Sequence, residues 1–364
     1  MKRIAILIAL LGVFAVLPVA GASAASPQVV YNAIPSPLPP NVPSVGFEAT
    51  STTQFGDYVH LGGTARTLNS VTVTMSDWAV YSDYSTDARY SANSATWTHP
   101  ITVNVYSRHL GANGAPDTLL ATATQTIAVP WRPAADPTCS PATDWRAGDG
   151  QCYAGIAFNA TFALNSPKVT LPNDVIVGVA FNTADYGATP IGNVGPYNSL
   201  NVGVPTGQTA SVGTDDNADN VFWNTSYGPF YADSGASGVG IFRQDTGWAP
   251  YGTVAFQITA SSPATSLTAA PQIDTRAPRL SVGLNRVSAT LTSAGSPVGP
   301  GEQITFTVGS TTLCTATTNT SGVATCTLSL KNELKVLFAN SYTASFAGNA
   351  GYAASTASTR AVVL

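Results

Sequence analysis

The sequence predicts an all-β protein made of two sandwiches, a large jelly-roll-like one followed by a smaller one. Short runs that alternate apolar and hydroxyl-bearing residues recur between turns along most of the chain, and this period of two is the pattern of half-buried strands. Charged residues make up only 9% of the 364 residues, whereas solvated helices usually carry many Glu, Lys and Arg side chains.

The beginning of the chain has the features of a secretory signal peptide, which we place at residues 1–24. Two basic residues precede an apolar run, and Ala22 and Ala24 have the small-residue spacing at which signal peptidase cleaves. No later run approaches the length of a membrane span, so we expect no transmembrane segment after cleavage. Residues 25–44 are rich in proline, which disfavours helix, and are predicted to form an extended leader.

The large sandwich is predicted over residues 45–260. Its strands are marked by apolar side chains at every second position, which we expect to face the core. These positions are Val71, Val73 and Met75; Ile101, Val103 and Val105; Ile156, Phe158, Ala160 and Phe162; Val175, Val177, Val179 and Phe181; and Val254, Phe256 and Ile258.

A second domain is predicted after a linker. Residues 261–279 are rich in Ser, Thr, Ala and Pro and are predicted to be that linker. Residues 280–364 have room for about seven short strands, which is the size of an immunoglobulin-like sandwich. Its predicted inward positions are Val287, Ala289, Leu291, Ile304, Phe306, Val308, Ala324, Cys326, Leu328, Leu330, Tyr342, Ala344 and Phe346.

The four cysteines fall into two closely spaced pairs, Cys139 with Cys152 and Cys314 with Cys326. In an exported chain such pairs predict two local disulfides. The second pair flanks the turn-forming run 319–322, so we expect its members to be neighbours across a hairpin. Neither pair has a zinc-binding spacing.

The run at 304–328, ITFTVGSTTLCTATTNTSGVATCTL, together with SYTASFAGNAGYAAS at 341–355, closely resembles the bacterial immunoglobulin-like repeats of secreted and surface proteins. This resemblance covers about a quarter of the chain and implies a spacer or adhesion module without catalysis. Only one copy is present, so the chain does not build a long stalk. Asn349 stands where the family's Gly-Asp-x-x-Tyr turn has Asp, which argues against a cation there.

Groups that could carry catalysis are scarce. The chain lacks the nucleophile-elbow, phosphate-loop and dinucleotide motifs, and glutamate occurs only at Glu48, Glu302 and Glu333. His99, ahead of a proline at a strand start, is interpreted as an exposed loop residue. We therefore expect a protein that is not an enzyme and needs no cofactor.

One candidate ligand-binding group is a set of aromatic residues in a Gly/Pro/Asn-rich stretch: Trp223, Tyr227, Trp248 and Tyr251. Such rings can stack on sugars while nearby Asn and Asp side chains bind hydroxyl groups. The alternative is that the rings close one end of the hydrophobic core.

A candidate metal site is the acidic run that contains Asp215, Asp216 and Asp219. Carboxylate and amide oxygens packed this closely suit a structural Ca²⁺ ion, although the EF-hand spacing is missing. The alternative is a turn in which Asp and Asn side chains bind neighbouring backbone N–H groups.

The leading functional hypothesis is a non-catalytic secreted or cell-surface protein with a binding or adhesion head and an immunoglobulin-like spacer. One alternative is a carbohydrate-binding protein that uses the loop aromatics, and another is a structural matrix protein that self-associates. Polysaccharide or a cell-surface protein is the expected partner. Nucleic acid is not, because the chain has too few Lys and Arg residues to provide the basic surface that nucleic-acid binding needs.

Overall fold

The computed structural model describes residues 27–50, 52–108, 114–116, 118–183, 186–187, 194–225, 242–274, 281–282, 284–349 and 351–363. The predicted signal peptide lies outside these ranges. The chain divides into compact units at Pro263: the first runs from Ala25 to Pro263, and the second includes Ala264–Leu364. Both are built from antiparallel sheets, which confirms the prediction of an all-β sandwich protein.

The described part of the first unit contains sixteen strands, one short α-helix, α1 (Tyr81–Tyr84), and one 3₁₀ helix at Pro196–Ser199. The strands are β1 (Gln28–Asn32), β2 (Ser44–Gly46), β3 (Thr52–His60), β4 (Thr67–Asp77), β5 (Thr96–Ser107), β6 (Leu119–Pro130), β7 (Trp145–Arg146), β8 (Cys152–Tyr153), β9 (Ile156–Ala163), β10 (Asp174–Ala180), β11 (Asn182–Thr183), β12 (Tyr186–Gly187), β13 (Leu200–Gly203), β14 (Asn220–Thr225), β15 (Arg243–Thr246) and β16 (Phe256–Ser261).

Two six-stranded sheets enclose the core of this unit. We call them sheet A, in the order β1-β16-β4-β13-β2 with β9 on the other side of β4, and sheet B, in the order β15-β14-β3-β10-β5-β6. The stripe of β4 from sheet A and the stripe of β10 from sheet B are fully buried in one hydrophobic cluster. The alternation of apolar and hydroxyl-bearing residues therefore predicted the inner faces of both sheets correctly.

The prediction of an extended leader over residues 25–44 ahead of the first domain is wrong, because the described part of this segment, residues 27–44, belongs to the sandwich. β1 pairs with β16, and Val30 and Tyr31 are buried in the core. The segment 33–43, which we call the strap, leaves β1 and reaches β9, where Ala157 N donates to Pro40 O at 2.9 Å. The chain then returns to sheet A as β2. Proline excludes helix here but does not prevent burial.

His99 is not an exposed loop residue as predicted. Its side chain stacks on Tyr197 with ring centroids 5.1 Å apart, and Nε2 lies 2.9 Å from the Asn182 carbonyl oxygen. Burial lowers the pKa of His99, while the hydrogen bond to Asn182 opposes this shift. The residue faces inward because it occupies a core-facing position of β5, two residues from Trp97.

In the second unit, the described residues form the remaining strands and one helix, α2 (Leu330–Ala339). The strands are β17 (Thr265–Ala270), β18 (Ile273–Asp274), β19 (Ser281–Val282), β20 (Arg286–Ser293), β21 (Ser296–Pro297), β22 (Gln303–Val308), β23 (Thr311–Thr317), β24 (Val323–Thr327), β25 (Ser341–Phe346), β26 (Ser355–Arg360) and β27 (Val362–Val363).

Two sheets enclose the core of the second unit as well. One contains β17, β20, β21 and β24, and the other has the order β23-β22-β25-β26. The prediction of a linker over 261–279 is wrong for its central part, because Thr265–Ala270 forms β17 and pairs along its whole length with β20. Ser and Thr alternate there with Leu267 and Ala269, which is the pattern of a strand rather than of a linker.

Both predicted disulfides are present, Cys139–Cys152 and Cys314–Cys326. The expectation that Cys314 and Cys326 are neighbours across a hairpin is wrong. Cys314 lies on β23, which pairs with β22, whereas Cys326 lies on β24, which pairs with β20 in the other sheet. The turn at 319–322 forms as predicted, but it carries the chain from one sheet to the other. The disulfide therefore joins the two sheets of the sandwich.

Helix α2 overturns one predicted core position. Leu330 was expected to face inward, but it is the first residue of the helix and is 75% exposed. Ser329 caps the helix by accepting a hydrogen bond from the backbone of Asn332. The strand pattern ends at Leu328 because this cap starts a helix.

We expect removal of the inter-sheet disulfide to destabilise the second unit. The double variant Cys314→Ala, Cys326→Ala should unfold with a free energy about 3 kcal/mol lower than the parent, because the bridge closes a loop of this length in the unfolded chain. Hydrogen exchange of peptides from 304–346 measures this effect. The matched variant Cys139→Ala, Cys152→Ala should leave these peptides unchanged. Equal protection in the Cys314/Cys326 variant and the parent would contradict the prediction.

Candidate functional site

Of the four predicted ligand-binding aromatics, Trp223 is a core residue and not a binding surface. Its side chain is only 4% exposed. The indole packs edge-on against Trp248, with ring centroids 4.9 Å apart, and Nε1 donates to Thr52 Oγ1 at 2.5 Å. It faces inward because it alternates with Phe222 on β14. No face of the ring is open to a sugar, so this assignment is wrong.

The other aromatics do not form a stacking platform with Trp223. Trp248 is half-buried, packs on Phe55 with ring centroids 5.1 Å apart, and donates from Nε1 to Asp245. Tyr251 is 42% exposed. Tyr227 lies outside the described residues. Trp223 and Trp248 instead pack at one end of the hydrophobic core, which was the alternative interpretation of these rings.

The acidic run does not form a metal site in the described part of the chain, where no group of three His, Cys, Asp or Glu side chains converges on one point. Asp215 accepts a hydrogen bond from Thr253 Oγ1 at 2.5 Å. Asp216 accepts one from Thr214 Oγ1. Asp219 accepts hydrogen bonds from the backbone N–H groups of Ala249 and Gly247. These carboxylates hold the turn together, so the proposed Ca²⁺ ligand set is wrong.

One buried carboxyl group of the core, Asp57, is influenced by the nearby half-buried Asp215. Asp57 is 1% exposed and accepts hydrogen bonds from Val254 N and Tyr58 N. Burial, and then the charge of Asp215, raise its pKa well above the usual value for Asp. The hydroxyl of the buried Tyr31 finds no partner among the described residues. Asp57 is closed off from solvent and therefore unavailable to an external ligand.

Asp77 is a further buried carboxyl group, at the end of β4. It accepts from Trp97 Nε1 at 3.0 Å and from Ala79 N at 3.2 Å. Burial raises the pKa of Asp77 from 3.8 to about 8, and these hydrogen bonds oppose the rise only in part. Asp77 is therefore protonated in much of the folded protein at neutral pH.

A polar cluster lies on the outer face of sheet B. Asp174 accepts hydrogen bonds from Tyr58 OH and lies beside His60 Nδ1, each at 2.7 Å, while the Arg108 guanidinium lies 4.6 Å above the Tyr58 ring. Burial raises the pKa of Asp174, but the hydrogen bonds of His60 and Tyr58, together with nearby charge that includes Arg108, leave it below its usual value. Among the described residues, the side-chain hydrogen-bond partner of His60 is Asp174, and no Ser or Cys side chain is hydrogen-bonded to this imidazole.

A groove lies between the strap and the outer face of sheet A. Its volume is about 330 Å³, within the size range of small-molecule sites. From the strap side it is lined by Asn32, Ile34, Pro35, Ser36 and Leu38, and from the sheet by Thr72, Asn159 and Gln257. None of these lining residues is charged. We call it the strap groove.

The strap groove contains unused hydrogen-bonding groups. Asn159 accepts from Thr74 Oγ1 through Oδ1, and Gln257 donates to Asn32 Oδ1 through Nε2. No described residue accepts from Asn159 Nδ2 or donates to Gln257 Oε1. One amide donor and one amide acceptor therefore remain for a ligand, beside the apolar surface of Ile34 and Leu38.

The walls of the strap groove are fixed before a ligand arrives. Ser76 Oγ donates to Asn41 Oδ1 at 2.7 Å, and Val204 N donates to Pro43 O at 2.7 Å, so the far end of the strap is anchored to the sheet. Under the strap, Thr74 and Ser76 are fully buried although they face away from the core. A site that is already ordered loses less conformational entropy on binding.

The strap groove is not apparent from the amino-acid sequence. The period-two pattern did place Asn159 and Gln257 on outward positions, between the core residues Phe158 and Ala160 and between Phe256 and Ile258. Predicting the groove would have required the knowledge that the proline-rich segment packs on the sandwich. The apolar residues Val30, Ile34 and Leu38 in this segment were the sequence feature that indicated such packing.

None of the described helices combines the length and the apolar character needed to cross a bilayer. Comparison of the chain with protein-family models gives no match, and neither does comparison with curated proteins.

Proposed function

We propose that this protein is an exported, non-catalytic binding protein whose first unit holds a neutral saccharide in the strap groove. The observation that carries the proposal is the lining of the groove, which offers amides and hydroxyl groups, an apolar wall and no charge. A ligand with a net charge would find no counter-ion there. A purely apolar ligand would leave the amides unpaired, which costs free energy.

The unused groups of the groove match a sugar ring. A sugar hydroxyl both donates and accepts, so adjacent hydroxyl groups could bind Gln257 Oε1 and Asn159 Nδ2 together. The C–H face of the ring would lie against Ile34, Pro35 and Leu38. This arrangement replaces the aromatic platform of the sequence hypothesis, because Trp223 is in the core.

The second unit is proposed to be a spacer, on the basis of its resemblance to bacterial immunoglobulin-like repeats. Its two-sheet sandwich and inter-sheet disulfide are compatible with this role. Two disulfides favour an oxidising compartment, which supports export of the chain. Cell-surface attachment and adhesion remain part of the proposal.

The test is retention of the purified protein on insoluble neutral polysaccharides, namely cellulose, chitin, xylan and β-1,3-glucan. We expect retention on at least one of them, with elution by the corresponding soluble sugar. The double variant Asn159→Ala, Gln257→Ala should bind at least about tenfold more weakly, because it loses two hydrogen bonds of about 1 kcal/mol each.

The matched control is Asn104→Ala, which removes an amide from the outer face of sheet B, where it accepts from Thr122. This variant should bind like the parent. Absence of retention on all four polysaccharides would overturn the saccharide proposal. Equal binding by the parent and the Asn159/Gln257 variant would overturn the assignment to the strap groove.

A further inference from the structure

Helix α2 of the second unit exposes an apolar stripe to solvent. Leu330, Leu334, Leu337 and Phe338 are 75%, 44%, 38% and 86% exposed. Their spacing of three and four residues places them on one face of the helix. The side that packs on the sandwich is narrow, since only Glu333 and Val336 are buried. A surface helix of a globular protein normally turns such a stripe toward its core.

A fifth exposed apolar side chain lies at the same end of the unit. Leu328 N donates to Asn285 O at 2.8 Å, which places Leu284 close to the start of α2. Leu284 is 50% exposed. We call Leu284, Leu330, Leu334, Leu337 and Phe338 the apolar ridge.

The exposed charge of α2 is entirely basic. Lys331 and Lys335 are one turn apart beside the apolar ridge. The only acidic residue of the helix, Glu333, is 4% exposed and accepts from Gln272 Nε2 at 2.9 Å. The chain as a whole has a net charge of −4, so the positive charge along this helix is a local property of the second unit. The partner that fits this helix is apolar in its interior and anionic at its surface.

The area of the apolar ridge disfavours a second copy of the chain as that partner. Five side chains with these exposures offer roughly 500 Å², whereas a stable protein interface usually buries about 800 Å² per partner. A two-fold pairing would also bring Lys331 and Lys335 near the same residues of the second copy. A lipid surface needs no matching protein area, and its phosphates neutralise both lysines.

We propose that α2 attaches the protein peripherally to an anionic lipid surface. In this arrangement the apolar ridge enters the boundary between the head groups and the acyl chains, and Lys331 and Lys335 lie against lipid phosphates. The strap groove belongs to the other unit, so this inference does not depend on the proposed saccharide binding.

The test is co-sedimentation of the exported form, which lacks the apolar run near the N-terminus, with vesicles. One set of vesicles contains phosphatidylcholine only, and the other contains phosphatidylcholine and phosphatidylglycerol in a ratio of about 7:3. We expect binding to the anionic vesicles. The variant Leu334→Asp, Phe338→Asp should bind at least about tenfold more weakly, and Lys331→Gln, Lys335→Gln should lose the preference for anionic lipid.

All of these substitutions are at solvent-accessible positions, and unchanged hydrogen exchange of the second unit verifies that the variants fold. Val194→Asp is the matched control, because Val194 is 72% exposed in the first unit, and it should bind like the parent.

Lack of binding to both kinds of vesicle would overturn the proposal. So would equal binding by the parent and the Leu334/Phe338 variant. A dimer in sedimentation equilibrium that the Leu334/Phe338 variant dissociates, without lipid binding, would assign the ridge to a second copy instead.

Discussion

Replacement of Trp223 by alanine should lower the free energy of unfolding of the first unit by about 3–5 kcal/mol, the usual effect of truncating a buried Trp. The indole is 4% exposed, packs against Phe55 and Trp248, and donates to Thr52. The variant loses these contacts and leaves a cavity. Urea unfolding followed by tryptophan fluorescence measures the change, because all six Trp residues lie in the first unit.

Tyr251→Ala is the control for this experiment, since Tyr251 is 42% exposed and surface substitutions usually change stability by less than about 0.5 kcal/mol. A Trp223→Ala variant as stable as the parent, but no longer retained on polysaccharide, would restore the aromatic binding platform. A large loss of stability would confirm the core role.

The first unit should lose stability as pH rises from about 6.5 to 8. Burial raises the pKa of Asp77 from 3.8 to about 8. In this pH range the unfolded chain has already released that proton while most of the folded protein keeps it, so each pH unit costs up to about 1.4 kcal/mol. Over this window the loss should reach about 2 kcal/mol.

Other titratable groups determine the pH range in which the effect of Asp77 on stability can be observed. Asp57 and Asp215 have raised pKa values through burial and act in the same direction as Asp77. The lowered pKa of His99 acts in the opposite direction, but only below about pH 6.5, because above this pH the imidazole is neutral in both states. The loss from Asp77 should therefore be clearest above pH 6.5.

The measurement is urea unfolding at several pH values, with Asp77→Asn as the comparison. The variant has no proton to release at this position, so its stability should fall less steeply with pH, whatever its absolute value. A residual slope from Asp57 and Asp215 should remain. Parallel curves for the parent and Asp77→Asn, or a parent whose stability rises over the window, would contradict the assignment.

The all-β fold could be predicted because strand alternation is local. The stripe of Val71, Val73 and Met75 gives the inner face of β4 without knowledge of its partners. The boundaries required tertiary information. Residues 28–32 and 265–270 have weak local signals, and both become strands because β16 and β20 offer them a free edge.

The candidate site was harder to predict, because it depends on contacts between distant parts of the chain. Asn32, Asn159 and Gln257 come from three separate segments, β1, β9 and β16, and meet only when these strands assemble into sheet A. Local composition instead drew attention to Trp223 and to the acidic run at 215–220. The fold uses the indole in the core and the carboxylates in a turn.

The inter-sheet bridge illustrates the same limit. Cys314 and Cys326 flank a well-formed turn, and sequence spacing alone cannot distinguish a hairpin from a crossover between two sheets. The difference is made by β20, far from either cysteine along the chain, which pairs with β24 in place of β23.

The pairing of β1 with β16 determines when the strap groove comes into existence. A chain is synthesised from its N-terminus, so β1 is made long before its partner strand β16. Gln28 can pair with Ala260 only after β16 has been synthesised. Gln257, one wall of the groove, lies in that same last strand. A chain interrupted before β16 therefore contains the whole strap but lacks one wall of the groove, so the groove exists only in the completed unit.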